Sequence, residues 1–173
     1  MECIKIIKKI VINIFPVFNR TKKIYKYYKK GRTLYKKRIK FLNIFYEDKI
    51  YKKYNCIISS KADIKDNIKF PHPIGIVIGE GVIIKNNVTI YQNVTLGRKD
   101  KDIAKYPIIE DDVIIYSNSV ILGDVTIRKG TIIGANSVVM TDTEENSVYV
   151  GIPAKRVDKS KKENKNGKKE NNY

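Results

Sequence analysis

Residues 108–139, IIEDDVIIYSNSVILGDVTIRKGTIIGANSVV, place a branched apolar residue at every sixth position: Ile109, Ile115, Ile121, Ile127, Ile133 and Val139. Four positions after the first five of these come Val113, Ser119, Val125, Thr131 and Ser137, all small or β-branched. A helix needs apolar spacing near 3.6 and a half-buried strand needs 2, so a period of six fits neither as a lone element. It fits a coil in which each hexad is one short flat strand followed by a turn, with three hexads (18 residues) closing a triangular rung.

The same beat runs upstream through Ile78, Ile84, Ile90 and Leu96, and before them Ile58, Ile64 and Phe70, with Ala62, Val82, Val88 and Val94 at the second inward position. Stacked rungs bury a continuous core through neighbours alone, and β-branched side chains fill such a flat pleated surface. Thirteen in-phase leaders weigh against an ordinary sandwich of alternating strands, whose period of 2 does not generate them. Gly79, Asn87, Asn93, Gly123 and Gly134 fall at the turns, where a positive φ is easily tolerated.

The beat breaks twice. From Phe70 to Ile78 the step is eight rather than six, and from Leu96 to Ile109 it is thirteen rather than twelve. Extra residues must be expelled from the packed rung as bulges or loops, which is where regular scaffolds carry function. The first excursion holds the chain's single histidine, His72, between Pro71 and Pro73; the second, around 97–107, is polar and charged. The prolines restrict the backbone on both sides of the imidazole. The bland alternative is a solvated turn histidine without a role.

The run 71–80 (PHPIGIVIGE), followed by 87–97 (NVTIYQNVTLG), resembles the active-site region of the hexapeptide-repeat acetyltransferases, in particular the serine acetyltransferase branch and its relatives that acetylate capsule and lipopolysaccharide sugars. Residues 147–157 (SVYVGIPAKRV) are similar to the segment closing the coil in that superfamily, so the resemblance spans roughly 56–157. It implies an all-β main domain, a left-handed parallel β-helix of hexapeptide repeats. It also implies a homotrimer, with acetyl-CoA lying in a groove between subunits.

His72 occupies the place of the family's catalytic histidine. An alcohol is a weak nucleophile at neutral pH, and a positioned imidazole can take its proton as the oxygen attacks a thioester carbonyl. Backbone N–H groups of the irregular loops are candidates to stabilise the oxyanion. Cys3 and Cys56 lie outside these motifs, against a cysteine nucleophile, and the resemblance requires no metal. It places Gly97, Ser117, Ala135 and Gly151 along the acetyl-CoA groove, with Lys155 and Arg156 near the nucleotide phosphates.

The chain departs from the serine acetyltransferases at two positions. Ile57 stands where an acidic residue, fifteen positions before the histidine, orients it, and Tyr106 stands where a second histidine precedes the proline of the polar loop. Asp63 and Asp66 are alternative orienting carboxylates or plain turn residues, and Glu80 is a turn residue or a second acid. The implied reaction is acetyl-CoA-dependent O-acetylation of a small hydroxyl acceptor, L-serine or a surface-polysaccharide sugar. A sugar N-acetyltransferase and a non-catalytic β-helix scaffold are the alternatives.

Charge divides the 173 residues into three parts. Residues 1–55 carry 17 Lys+Arg against 3 Asp+Glu, residues 56–157 carry 12 against 12, and residues 158–173 carry 6 against 3. The net charge of +17 is therefore a property of the ends, and the coil is neutral. Residues 1–55 read as a short basic α-helical extension: Ile4, Ile7, Val11 and Ile14 share one helical face, Pro16 interrupts, and a second amphipathic run covers 33–54. Such helices either pack on the open end of the coil or on a neighbouring subunit, covering exposed ladder edges, or lie on an anionic membrane surface. No recognised nucleic-acid-binding motif accompanies the charge. Residues 158–173 read as a disordered polar tail.

The apolar stretch near the start is broken by Lys8 and Lys9 and too short for a transmembrane span, and no small-residue cleavage site follows it. Two cysteines and a CoA-dependent reaction point to the reducing cytoplasm, with the inner membrane surface as a peripheral location.

Overall fold

The computed structural model describes residues 20–157. The run at 4–14 and the tail 158–173 lie outside the described residues. Within them, all thirteen hexad leaders are buried, and so are the nine second inward positions from Ala62 to Ser137.

Strands of two or three residues stack into three parallel faces of a triangular coil. The first face holds β1 (Ile57–Ile58), β3 (Val77–Ile78), β6 (Thr95–Gly97), β9 (Val120–Leu122) and β12 (Val138–Val139). The second holds β2 (Asp63–Ile64), β4 (Ile83–Ile84), β7 (Ile108–Ile109) and β10 (Thr126–Ile127). The third holds β5 (Thr89–Ile90), β8 (Ile114–Ile115), β11 (Ile132–Ile133) and β13 (Val148–Val150), closed by the antiparallel β14 (Lys155–Val157).

Register shows how each break in the beat is absorbed. Undisturbed rungs pair residues 18 apart, as in Val77 with Thr95 and Ile114 with Ile132. Across the His72 excursion the offset is 20, Ile57 with Val77, so two residues are extra. Across the polar loop it is 25, Thr95 with Val120 and Ile83 with Ile108, so seven are extra rather than the one that counting hexads suggests. The chain advances only one face between Leu96 and Ile109, and the seven extra residues are extruded at that corner.

Asn87, Asn93 and Gly123 take the positive φ expected at turns, whereas Gly79 and Gly134 do not. Those two are small because of neighbours: an added Cβ would lie 3.1 Å from the Tyr106 ring at Gly79 and 2.6 Å from Val150 at Gly134.

The predicted run 33–54 is instead two helices. α1 spans Arg20–Lys36 and α2 spans Lys40–Tyr54, separated by a break in which Arg38 is left-handed (φ 60°). Ile24, Tyr28 and Gly31, at i, i+4 and i+7, bury the inner face of α1. The helices cover the exposed ladder edge of the first rung. Tyr28 Oη donates to the Ala62 carbonyl (2.7 Å) and accepts from Ile64 N–H (2.9 Å). Thr21 Oγ1 does the same for Phe70, Glu47 accepts from Ser60 N–H, and Arg32 donates to the carbonyls of Lys61 and Ala62. Backbone groups that have no further rung to pair with are satisfied by side chains. Among the described residues, no helix is long and apolar enough to cross a membrane.

Candidate active site

His72 lies in the segment 71–76, at the corner where the third face passes into the first. Pro73 is buried while His72 is exposed, so the segment is rooted in the coil and presents the imidazole outward. Two backbone bonds fix it: Gly75 N–H donates to the Asn55 carbonyl and Asn93 N–H to that of Ile74, each at 2.9 Å. Gly75 is left-handed (φ +67°), and an added Cβ there would sit 2.1 Å from Asn93 Oδ1. Below it a side-chain ladder descends the same corner, Asn93 Nδ2 to Asn118 Oδ1 (3.0 Å) and Asn118 Nδ2 to Asn136 Oδ1 (3.1 Å).

The imidazole has aromatic neighbours. Its ring centroid is 6.2 Å from that of Tyr91, and Tyr91 stacks on Tyr116 at 5.0 Å with planes 18° apart. These tyrosines were not singled out from the sequence, although both directly follow a third-face leader, Ile90 and Ile115. The shared offset puts them in one column. Next to Tyr91 in the chain, Gln92 keeps its Oε1 buried with no hydrogen-bond partner among the described residues. That is the kind of acceptor a ligand N–H can satisfy.

No carboxylate considered as a partner for His72 reaches it. Asp63 is bound by Arg32 (2.9 Å) and Lys65 (3.2 Å), and Asp66 accepts from Tyr25 Oη (2.7 Å) and pairs with Lys29 (3.3 Å). Burial pushes the Asp63 carboxyl up, but Lys65 and Arg32 outweigh it and the net direction is down. Hydrogen bonds from Tyr25 and Lys29 lower Asp66. Both serve the docking of α1, so of the two readings open from the sequence the structural one describes them. Ile57 is exposed on β1. Tyr106 caps the other end of the first face: its ring covers Gly79 and Gly81, and its hydroxyl donates to Glu80 (3.1 Å). Glu80 also holds Lys61 at 2.5 Å, and these bonds, from Lys61 first and then Tyr106, keep its carboxyl below the usual range. Glu80 therefore anchors the polar loop at that corner.

Ser117, Ala135 and Gly151 come together at the His72 corner. Asn136 N–H donates to the Ser117 carbonyl (3.0 Å), and Gly151 N–H to Ser137 Oγ (3.1 Å). Their small side chains leave a backbone strip beside Tyr116. Gly97 is not part of it; it lies at the far end of the first face, accepting from Gly123 N–H (2.9 Å). Lys155 pairs with Val150 at the foot of the strip, and Arg156 forms an ion pair with Glu144. Cys56 is buried, and burial pushes its thiol pKa up, the reverse of what a nucleophile needs. Among the described residues, no group of three or more His, Cys, Asp or Glu side chains is placed to hold a metal ion.

Residues 106–140 match the six-repeat bacterial transferase hexapeptide family. The chain is 38% identical over 127 residues to a serine acetyltransferase of Buchnera aphidicola subsp. Schizaphis graminum, covering 72% of this chain and 49% of that protein. It is 46% identical over 87 residues to the Bacillus subtilis serine acetyltransferase, covering 50% and 40%. Among solved structures, a serine acetyltransferase in complex with CoA superposes with a TM-score of 0.75 at 33% identity, over 80% of this chain and 57% of that one. A Brucella abortus serine acetyltransferase in complex with coenzyme A gives 0.75 at 26%, over 77% and 54%. The chain thus spans about half the length of the relatives it matches. Its coil is a left-handed parallel β-helix with a short helical part before it.

Proposed function

We propose that this hexapeptide-repeat, serine acetyltransferase-like chain moves an acetyl group from acetyl-CoA to the hydroxyl of L-serine, with His72 as general base. The observation that carries the reading is His72 itself, held outward on an excursion rooted by the buried Pro73 and two backbone bonds, at the corner where Ser117, Ala135 and Gly151 leave a backbone strip uncovered. His72 takes the hydroxyl proton as the oxygen attacks the thioester carbonyl. The tetrahedral adduct then expels the CoA thiolate, which receives the proton back from the imidazolium. Acetyl-CoA lies along the strip, and Lys155 faces its phosphates. The chain works in the cytoplasm as a homotrimer, a neighbouring subunit completing the groove, with its basic helices in peripheral contact with the inner membrane surface.

A surface-sugar hydroxyl is the second reading for the acceptor. Tyr91 and Tyr116 offer a flat surface beside His72, and neither Ile57 nor Tyr106 supplies the polar partner usual in the serine enzymes.

The test is CoA release by purified protein with L-serine and, in parallel, a panel of surface-sugar acceptors. His72→Ala is expected to lower turnover about 10²- to 10⁴-fold while thermal unfolding stays unchanged, because the side chain is exposed. Histidine-dependent release with serine supports the reading, and release only with a sugar moves the acceptor to the second. Retained turnover in the variant overturns His72 as the general base, and no release together with no CoA binding overturns the reading in favour of a scaffold.

A further inference from the structure

We propose that the first half of α2 is a membrane-docking surface that takes an anionic lipid bilayer, Phe41 and Phe45 entering the headgroup boundary. The inner side of α2 packs against the rest of the chain through the buried Asn43, Ile50 and Tyr54. Its outer side is also apolar. Phe41 is 84% exposed and Phe45 47%, and Ile39, Leu42 and Tyr51 are exposed around them. A helix that is apolar on all sides is one covered on all sides, and the described chain covers only one.

Charge identifies the occupant. Residues 20–55 carry 14 Lys+Arg against 2 Asp+Glu. Both acids are engaged: Glu47 by Ser60 N–H, and Asp48 by Lys52 at 2.9 Å. Lys36, Lys37 and Arg38 are exposed at the turn beside Phe41, and Lys49 Nζ stands 4.4 Å over the Phe45 ring. A second copy of this face would bring two strongly basic surfaces together. Residues 1–19, with 3 Lys and 1 Glu, have the same sign. A nucleic-acid duplex, held through its phosphates, would meet the charge but leave the phenylalanines in water. An anionic bilayer answers both, with aromatic rings at the acyl boundary and cations on the headgroups. The inference deepens the peripheral membrane contact of the proposed function without depending on the coil's chemistry, and its test does not use activity.

The full chain is mixed at low salt with vesicles of phosphatidylcholine alone or of phosphatidylcholine with phosphatidylglycerol, and sedimented. Binding to the anionic vesicles only, weakening as salt rises, and falling at least tenfold in Phe41→Ser/Phe45→Ser with unchanged thermal unfolding, is the expected result. The chain has no tryptophan, so Phe41→Trp supplies a single reporter whose emission is expected to shift to the blue on anionic vesicles. No binding to anionic vesicles, undiminished binding of the double variant, or an unshifted Phe41→Trp spectrum overturns the proposal. A fall in oligomeric mass of the double variant, without lipid binding by the parent, assigns the face to a second copy and overturns it too.

Discussion

The ring of Tyr91 lies beside the imidazole of His72, centroids 6.2 Å apart and planes tilted by 50°, and is itself backed by Tyr116 at 5.0 Å. No carboxylate among the described residues holds this histidine, so aromatic packing is what limits its orientations. Ring pairs of this kind contribute about 0.5–1.5 kcal/mol. Tyr91→Ala is therefore expected to lower kcat of the proposed transfer roughly two- to tenfold, with KM for acetyl-CoA unchanged, and Tyr91→Phe to keep kcat near the parent value. Steady-state kinetics on the two variants checks this, and equal losses in both would show that the hydroxyl rather than the ring matters.

Gly75 is the joint of the His72 segment. A left-handed non-glycine residue costs about 1–2 kcal/mol, and the new Cβ of Gly75→Ala would also press on Asn93 Oδ1. The variant is expected to lose about 2 kcal/mol or more in urea unfolding and to lose activity through displacement of His72. Asn93→Ala removes the contact but not the backbone strain. The double variant should therefore be less destabilised than the sum of the two singles, a coupling that additive losses would refute.

The core was legible residue by residue because the hexad period exceeds what a helix or a lone strand can produce; Ile58 through Val139 are buried as read. The polar loop was misjudged for a related reason. Counting sixes fixes phase but not which face the chain lands on, and thirteen residues resemble two hexads plus one. Only the pairing of Ile83 with Ile108 reveals a single step with seven residues extruded. Asp63 and Asp66 could not be assigned from local sequence, since their partners Arg32, Tyr25 and Lys29 lie more than 30 residues earlier. The start of α1 was recoverable, because Ile24, Tyr28 and Gly31 keep helical spacing through a lysine-rich stretch.

Acid is expected to loosen α1. The carboxyls of Asp63 and Asp66 sit below their ordinary values in the folded chain. Their contribution to stability is thus present above the unfolded carboxylate pKa of about 4 and is lost as pH falls through the lower folded values. Far-ultraviolet circular dichroism and thermal unfolding between pH 6 and 2 should show the helical signal melting at progressively lower temperature below about pH 4. Asp63→Asn/Asp66→Asn should flatten that dependence; a profile identical to the parent would place the acid sensitivity elsewhere. Both pairs are partly exposed, so salt should blunt the effect.

Tyr28 is expected to be the most sensitive of the residues that close the first rung. Its hydroxyl donates to the Ala62 carbonyl and accepts from Ile64 N–H, satisfying two backbone groups that have no further strand to pair with. Tyr28→Phe keeps the ring packing and removes only that oxygen; Arg32 still donates to the Ala62 carbonyl, but the buried Ile64 N–H is left unpaired, at a cost of about 1–3 kcal/mol. Thr21→Val, at the part-buried pair of bonds to Phe70, should cost less because water can replace part of what is lost. Urea unfolding measures the first effect, and amide exchange at Ile64 locates it. The loosened edge is also a template for pairing with another chain, so light scattering of Tyr28→Phe should rise with concentration before global unfolding. Unchanged exchange at Ile64 together with parental stability would show that the β-helix closes its first rung without the tyrosine.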